Sequence, residues 1–423
     1  MSLVARSIGA RVHYAWVALA LAFLTLLSAA AVRASPSVLI VPLEQAFGWS
    51  PATISAAISL NLVLYGVTGP FSAALMQRIG IRRTLMGALA LVLTGVLAST
   101  LMSRPWHLVL FWGLCVGIGA GSVAPVLGAT VVNRWFTARR GLAMGIVTAA
   151  SAAGQLVFLP VLAAAAQKDG WRAAIYVVAA VLAVVILIVA IFLPEGPQSL
   201  GIRPLGESGP PEPARAPVNP LATAFDVLGR CVKSADFWIL FGAFFTCGAS
   251  ANGLVGTHLV AFCFDNGIPQ VEGAWLLAAM GAFNIVGATL SGWLSDRYDP
   301  RTLLMCFFGL RGLSLLYLPY SHFDFSTLSV FALFYGLDWI ATLPPIMRLI
   351  TNRFGKIDAP VVFGWIFIAH QVGAGTIASL AGALRAGLGS YLLPFMLSGG
   401  LCVVAAICVL RLQSGRLAAV GAD

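Results

Sequence analysis

Charge is what this sequence has least of. Only 9% of its 423 residues are Asp, Glu, Lys or Arg, and the acidic ones number 15. A water-soluble chain carries roughly 25% charged residues, so a soluble fold is excluded. Cysteine is also scarce: the seven present form no C-x-x-C pair and lie mostly inside apolar runs, which argues against a disulfide framework or a metal site. No H-E-x-x-H, G-x-S-x-G or P-loop pattern occurs, and no stretch is left over for a soluble domain. A membrane-embedded enzyme or sensor is therefore not the expectation, and neither is a cofactor.

Apolar length fills the space that charge leaves. Hydrophobic residues make up 60% of the chain, with a mean hydropathy of +0.94. A bilayer core about 30 Å thick takes roughly 20 apolar residues per helix. Reading apolar runs against their breakers gives twelve spans. Six precede a gap: Tyr14 to Val41, Ile54 to Leu75, Thr84 to Met102, Leu108 to Val132, Leu142 to Ala166 and Trp171 to Leu193. Six follow it: Phe237 to Phe262, Ala274 to Leu294, Leu303 to Pro319, Leu328 to Ile350, Val361 to Leu384 and Leu392 to Leu410. Arg6 and Arg11 before an apolar run, with small residues up to Ala34, imitate a secretory signal. The apolar character continues through Val38, Leu39, Ile40 and Val41, so a retained membrane helix is expected.

The net charge of +10 comes from short basic clusters between apolar runs, a topology signal rather than a nucleic-acid surface. With both termini on the cytoplasmic side, 19 Lys and Arg fall inside, four outside (Arg104, Lys168, Arg172, Arg385) and two within spans (Arg33, Arg311). That asymmetry implies a multi-pass protein of the cell (inner) membrane with cytoplasmic termini. The only long polar stretch, 194–235, is rich in proline and reads as a stiff, mostly unstructured linker. It divides the chain into an N-terminal six-helix bundle, 1–193, and a C-terminal one, 236–423.

An internal repeat supports that division. Ala73-Ala74-Leu75-Met76-Gln77-Arg78-Ile79-Gly80-Ile81-Arg82 follows the second span, and Gly292-Trp293-Leu294-Ser295-Asp296-Arg297-Tyr298-Asp299-Pro300-Arg301 follows the eighth, 219 residues later and without a gap. Duplicated halves place equivalent loops in this way. The second copy resembles the G-x-L-x-D-R-x-G-R-[KR] loop of the major facilitator superfamily at Gly292, Leu294, Asp296, Arg297 and Arg301, with Asp299-Pro300 in place of Gly-Arg. The resemblance implies a charge network at a helix N-terminus that latches the cytoplasmic side, with Arg78, Arg82, Asp296, Arg297 and Arg301 as its gating residues. The alternative is that these arginines only mark topology. Gln77 stands where the acid belongs in the first copy, so its latch is expected to be the weaker.

Phe47-Gly48-Trp49-Ser50 before the second span and the stretch from Trp135 through Arg139-Arg140-Gly141-Leu142-Ala143 into the fifth resemble the monocarboxylate and oxalate:formate porter branch. Implied is an all-α carrier of twelve helices in two pseudo-symmetric bundles. Ionisable groups within spans cost at least ~2.5 kcal/mol on insertion scales and so face a cavity or a partner. By resemblance Arg33 lies within about a turn of a carboxylate-binding lysine of the monocarboxylate carriers, and His370, in Gly364-Trp365-Ile366-Phe367-Ile368-Ala369-His370, is similar to a substrate-contacting lysine stretch of the oxalate carrier. A guanidinium grips a carboxylate through two parallel hydrogen bonds, and a histidine suits proton coupling. Against these stand snorkelling of Arg33 to the headgroups and a merely structural His370. His258, with Asn252 beside it on the seventh span, is a weaker candidate. Arg311 and Asp338, at similar depth in the ninth and tenth spans, either pair structurally or contact solute.

The branch's Asp and Arg on the eighth span are Asn284 and Ala288 here, and Gly113 stands where many proton-coupled members carry arginine. The expected function is secondary transport of a small organic anion, proton-coupled, by a monomer in the bilayer that rocks one half against the other. The alternative is export of amphipathic compounds, which Trp275, Phe283, Trp339, Trp365 and Phe367 would also allow.

Overall fold

A computed structural model of the chain describes residues 13–207 and 220–413. Arg6, Arg11 and the linker prolines 210, 211, 213 and 217 lie outside the described residues, as do the side chains of Ala73, Gln77 and Arg140. Among the described residues twelve helices are long and apolar enough to cross a bilayer. They are Tyr14–Phe47, Pro51–Gly69, Ile81–Ser99, Pro105–Val123, Leu142–Asp169, Trp171–Phe192, Ala235–Asp265, Gln270–Ser295, Pro300–Tyr320, Ser326–Gly355, Asp358–Leu388 and Leu392–Arg411. Each overlaps one of the twelve apolar runs.

Several boundaries differ for local reasons. The first span absorbs Pro36 and Pro42 and runs on to Phe47, where Gly48 (φ 65°) donates its N–H to the Glu44 carbonyl as a left-handed cap. Proline is tolerated inside a membrane helix because neighbouring groups satisfy the freed carbonyls. The second span begins with Ser50 as N-cap and Pro51 in the first turn, a strong local start signal. Between the tenth and eleventh spans the chain reverses at Gly355 (φ 84°), a conformation open to glycine and costly for other residues. The tenth span breaks over residues 339–342 and resumes at Leu343, with Pro344 and Pro345 in its new first turn.

The linker departs from the expectation of a mostly unstructured segment. Residues Pro220–Cys231 form a helix, because their apolar residues recur at helical spacing and find a surface: Phe225 packs 5.5 Å from the Trp365 ring and Arg230 reaches Asp358 at 3.1 Å. Its opening part is strapped to the N-terminal half. Leu205 pairs with Phe136 in a parallel bridge and its carbonyl accepts from the N–H groups of Thr137 and Ala138.

The halves meet along three seams, the first span against the seventh, the second against the eleventh, and the fifth against the eighth. The linker marks one face of the bundle, here the linker face. On the other side of the membrane the second–eleventh seam is tight: a Cβ on Gly382 would lie 2.2 Å from Ser55 Oγ and 2.7 Å from the Pro51 carbonyl. Only a residue without a side chain allows this approach.

Candidate functional site

Arg33 is the twentieth residue of the 34-residue first span, deep in the membrane and half-buried. Its Nη1 donates to the Tyr65 hydroxyl at 3.1 Å, and its guanidinium lies 5.6 Å from that ring's centre. Among the described residues it has no carboxylate within ion-pair distance. A guanidinium has five N–H donors, so most of this one's hydrogen-bonding capacity is free.

His370 faces the same level from the other half. Its Nδ1 lies 3.0 Å from Gln371 Oε1, and its ring stacks on Phe367 (7° between planes) and tilts against Phe244. The backbone there is held by the seventh span, since a Cβ on Gly248 would lie 1.8 Å from the His370 carbonyl oxygen. Gln371 in turn packs on Gly66, next to Tyr65. The chain of contacts Arg33, Tyr65, Gly66, Gln371, His370 thus crosses the seam between the halves at mid-span, bringing two of the sequence candidates to one level without direct contact.

Arg311 and Asp338 are brought together elsewhere. Arg311 Nε donates to Asp338 Oδ2 at 2.6 Å, Nη2 to the carbonyls of Asp338 (2.6 Å) and Trp339 (3.2 Å), and Nη1 to Cys247 Sγ (3.1 Å) and Ser250 Oγ (3.5 Å). The Arg311 side chain is fully buried and that of Asp338 is 10% exposed. The carbonyls are available because the tenth span breaks just after Asp338 and leaves them without intrahelical partners. Of the two sequence readings, the structural pair is what this geometry describes. Asn284 belongs to the same break, its Oδ1 accepting from the Ile340 N–H at 3.1 Å. Asn252 lies in a stretch of π-helix, Ala249–Val255, and its carbonyl accepts from the Thr257 hydroxyl.

His258 is fully buried. Its Nε2 donates to the Ala378 carbonyl at 2.9 Å, and Nδ1 lies 3.0 Å from the Tyr391 hydroxyl. Burial raises the Tyr391 pKa, so that phenol stays protonated and available as a donor. Both contacts tie His258 to the face opposite the linker.

That face carries charged groups which sequence reasoning did not single out. Arg385, counted in the sequence only as a topology marker, donates Nη1 to both carboxylate oxygens of Glu44 (2.9 and 3.0 Å) and forks onto Asp265 through Nε and Nη2, both at 2.8 Å. Glu44 ends the first span and Asp265 the seventh, so one arginine joins both halves. Just beneath it Ser379 donates to Ser59 Oγ at 2.7 Å, again across the second–eleventh seam. The available signal was the placement of opposite charges at three span ends on one side.

On the linker face, by contrast, the ion pairs among the described residues lie within the C-terminal half, within the linker or between the two, and none joins the two halves. Asp299 caps the ninth span, accepting from the Arg301 N–H at 3.0 Å, and takes a forked contact from the Arg301 side chain. Those bonds lower the Asp299 pKa. The anticipated acid, Asp296, is instead 84% exposed and 3.6 Å from Arg348, while Arg297 lies over the Trp293 ring at 3.9 Å. In the first half Arg78 is exposed. The carboxylate missing at position 77 comes from Glu195, just beyond the sixth span, whose Oε2 accepts from the Arg82 N–H at 3.3 Å at the start of the third. Arg134 donates to the Glu195 carbonyl at 2.8 Å, and the Arg82 side chain to the Ala190 carbonyl. Glu195 belongs to the start of the linker, 113 residues from Arg82, a partner that local sequence cannot reveal.

The comparisons with known proteins agree with this architecture. The family model for the Major Facilitator Superfamily matches residues 21–375 and 259–419. The chain is 26% identical over 402 residues to an uncharacterized MFS-type transporter, YcxA, of Bacillus subtilis, covering 93% of this chain and 91% of that one. It is 26% identical to monocarboxylate transporter 13 of Rattus norvegicus (91% and 86% covered) and 28% to monocarboxylate transporter 11 of Homo sapiens (81% and 71%). Among solved structures, a bacterial homolog of the human lysosomal transporter Spinster, in its inward-facing and occupied conformation, superposes with a TM-score of 0.72 over 97% of both chains at 17% identity. That last likeness concerns the fold.

Proposed function

We propose, from the premise that the chain belongs to the Major Facilitator Superfamily and is a transporter rather than an enzyme, that its solute is a small organic carboxylate carried together with a proton. The observation that carries the reading is Arg33, a cation at mid-span whose only described hydrogen-bond partner is a tyrosine hydroxyl. A carboxylate would accept two parallel hydrogen bonds from it, which are stronger than neutral ones. His370, across the seam, is the group that takes or releases the proton as solute comes and goes. The names of the monocarboxylate relatives point to the same solute class. Asn252, half-buried on the seventh span, contributes a neutral contact, whereas Arg311, Asp338 and Asn284 hold the tenth span in shape and His258 braces the face opposite the linker.

In this reading the halves, 1–193 and 236–423, move as rigid bodies joined by residues 194–235. The linker face is cytoplasmic and the protein sits as a monomer in the cell membrane. The state described here has its outer face held shut by the Arg385–Glu44 pair, with Asp265 orienting the arginine from its own half, and the Glu44 pair exchanges for contacts on the linker face when the carrier turns outward. Half-exposed ion pairs are worth only about 1 kcal/mol or less each, which suits repeated breakage.

The test is uptake of radiolabelled lactate, pyruvate and oxalate into proteoliposomes with and without an inward proton gradient. Acid-stimulated uptake of at least one of them, abolished in Arg33→Ala and insensitive to pH in His370→Gln, is the expected result. Wild-type uptake by Arg33→Ala would sink the assignment.

A further inference from the structure

The first and seventh spans, which open the two halves, are enclosed along most of their length, and each is open at one place. From Ser28 to Val41 every residue is buried except Arg33 and Pro36, and from Thr246 to Cys263 every residue except Asn252 and Gly256. Spacings of three and four put each pair on one face of its helix. The two spans meet at the seam between the halves, so their open faces border the space that the halves share.

Asn252 is the counterpart of Arg33. It follows Arg33 by 219 residues, the interval that separates the repeated loops, and the second and eighth spans (Pro51, Gln270) and the third and ninth (Ile81, Pro300) also begin 219 residues apart. Depth agrees with sequence. Arg33 lies 14 residues before Phe47, the last of its span, and Asn252 lies 13 before Asp265, the last of its own, about 20 Å in each case at 1.5 Å per residue. The two ends sit at one level, because Arg385 bonds both Glu44 and Asp265. Duplicated halves face one another about a pseudo-two-fold axis, and equivalent positions beside that axis form opposite walls of one site.

The Asn252 side chain is open to that site. Its backbone is satisfied without it: in the π-helical stretch Ala249–Val255 the Asn252 carbonyl accepts from the Thr257 hydroxyl at 2.7 Å. The side-chain amide has no hydrogen-bond partner among the described residues, and it is half-buried rather than sealed from water. A primary amide offers two N–H donors, an oxygen acceptor and no charge. Where the N-terminal half presents a cation with free donors, the C-terminal half thus presents a neutral group that both donates and accepts.

We propose that Asn252 determines specificity for the end of the solute remote from its carboxylate, selecting a compound with a carboxylate at one end and an uncharged hydrogen-bonding group, a hydroxyl or an amide, at the other. The proposal rests on the assignment of the carboxylate to Arg33. A hydroxyl both donates and accepts, so it meets the amide in full. An alkyl end would displace water from the amide and return nothing, leaving polar groups unpaired. A second carboxylate would find a neutral side chain where the counterpart of Arg33 stands, and a buried charge without a partner is costly.

The test compares four-carbon acids that differ only at the far end: radiolabelled butyrate, 4-hydroxybutyrate and succinate, taken up by proteoliposomes of the full chain under an inward proton gradient. The KM for 4-hydroxybutyrate is expected to be roughly tenfold below that for butyrate, as expected for a hydrogen bond whose loss leaves its partner unpaired, with succinate the poorest of the three. Asn252→Ala should bring the KM values of butyrate and 4-hydroxybutyrate to within about twofold of each other. Asn252→Arg, which repeats in the C-terminal half the cation of the N-terminal one, should make succinate the preferred solute. Carboxylate uptake by the wild type without preference for the hydroxy acid overturns the proposal and leaves the carboxylate reading standing, as does wild-type selectivity kept in both variants. A wild-type preference for succinate also overturns it and gives the second carboxylate to His370. Uptake of none of these acids, nor of lactate, pyruvate or oxalate, overturns the carboxylate reading itself and this proposal with it.

Discussion

An arginine lies near mid-span in each half, Arg33 and Arg311, and the two are treated in opposite ways. Arg311 in the C-terminal half is fully enclosed and bonded to a carboxylate, two carbonyls, a thiol and a hydroxyl. Arg33 in the N-terminal half is half-buried and meets a tyrosine hydroxyl. A saturated cation holds structure and has nothing left to offer a solute. An unsaturated one at mid-span keeps donors open to a solute, and the proposed assignment of Arg33 to the working site and Arg311 to the scaffold rests on that contrast.

The largest effect is expected from removing the saturated cation. Arg311→Ala leaves Asp338 buried without its partner, which costs about 3–5 kcal/mol, and the variant should be lost as aggregate on size-exclusion chromatography. Replacing both partners, Arg311→Met with Asp338→Leu, should recover most of that loss, because a buried pair is often matched by apolar residues of similar volume. If the double variant is as poorly folded as the single one, the pair is more than a structural clamp.

Arg33→Ala should reverse the pattern. Its melting temperature should stay within about 2 °C of wild type, while carboxylate uptake falls by roughly 100-fold, the loss of two charge-assisted hydrogen bonds at about 1.5 kcal/mol each. A large fall in melting temperature would make Arg33 a second structural arginine and erase the contrast.

Arg385 stands between these cases, because it is bonded on one side to each half. Arg385→Ala should loosen the face opposite the linker. A cysteine placed at Ser379 should then react with a membrane-impermeant maleimide roughly threefold faster than in the intact background, the one ion pair that crosses between the halves, about 0.7 kcal/mol, having gone. Equal rates would mean that packing at Gly382, rather than charge, keeps that seam shut.

The smallest effects test the matching helix starts on the linker face. Glu195→Gln removes the carboxylate from the start of the third span and should cost about 0.3–1 kcal/mol. Asp299→Asn keeps a capping oxygen and should cost less, within about 0.5 kcal/mol. Asp299 has a lowered pKa in the folded protein, through its bonds from Arg301. Its charge therefore stabilises the fold above the unfolded carboxylate's pKa, about 3.9, and that contribution fades as the pH falls towards the folded value. The difference in melting temperature between wild type and Asp299→Asn should thus shrink between about pH 5 and pH 3. A difference that widens on acidification would remove the Arg301 pairing as its cause.

Much of this was legible in the chain itself. Twelve apolar runs and the 219-residue spacing of the two loops appear as helices and as turns after the second and eighth spans. These are local matters: a bilayer forces each apolar stretch to satisfy its own backbone by forming a helix. The linker helix was missed because proline dominated that segment, although only Pro220 falls in Pro220–Cys231. For the candidate site, the sequence named Arg33, His370, Arg311 and Asp338 as groups that need a partner or a cavity. It left open which of those each would find.

Partners were the business of the tertiary structure. Arg311 lies 27 residues from Asp338, Arg82 lies 113 from Glu195, and Arg385 lies 341 from Glu44, separations at which no pattern along the chain brings side chains together. Hydrophobicity, proline and glycine act over a turn or a span and so can be read in order. Electrostatic pairing inside a membrane depends on which helix ends and faces share a depth. Only the packed bundle decided that Arg311 would be filled and that Arg33 would meet a single hydroxyl among the described residues.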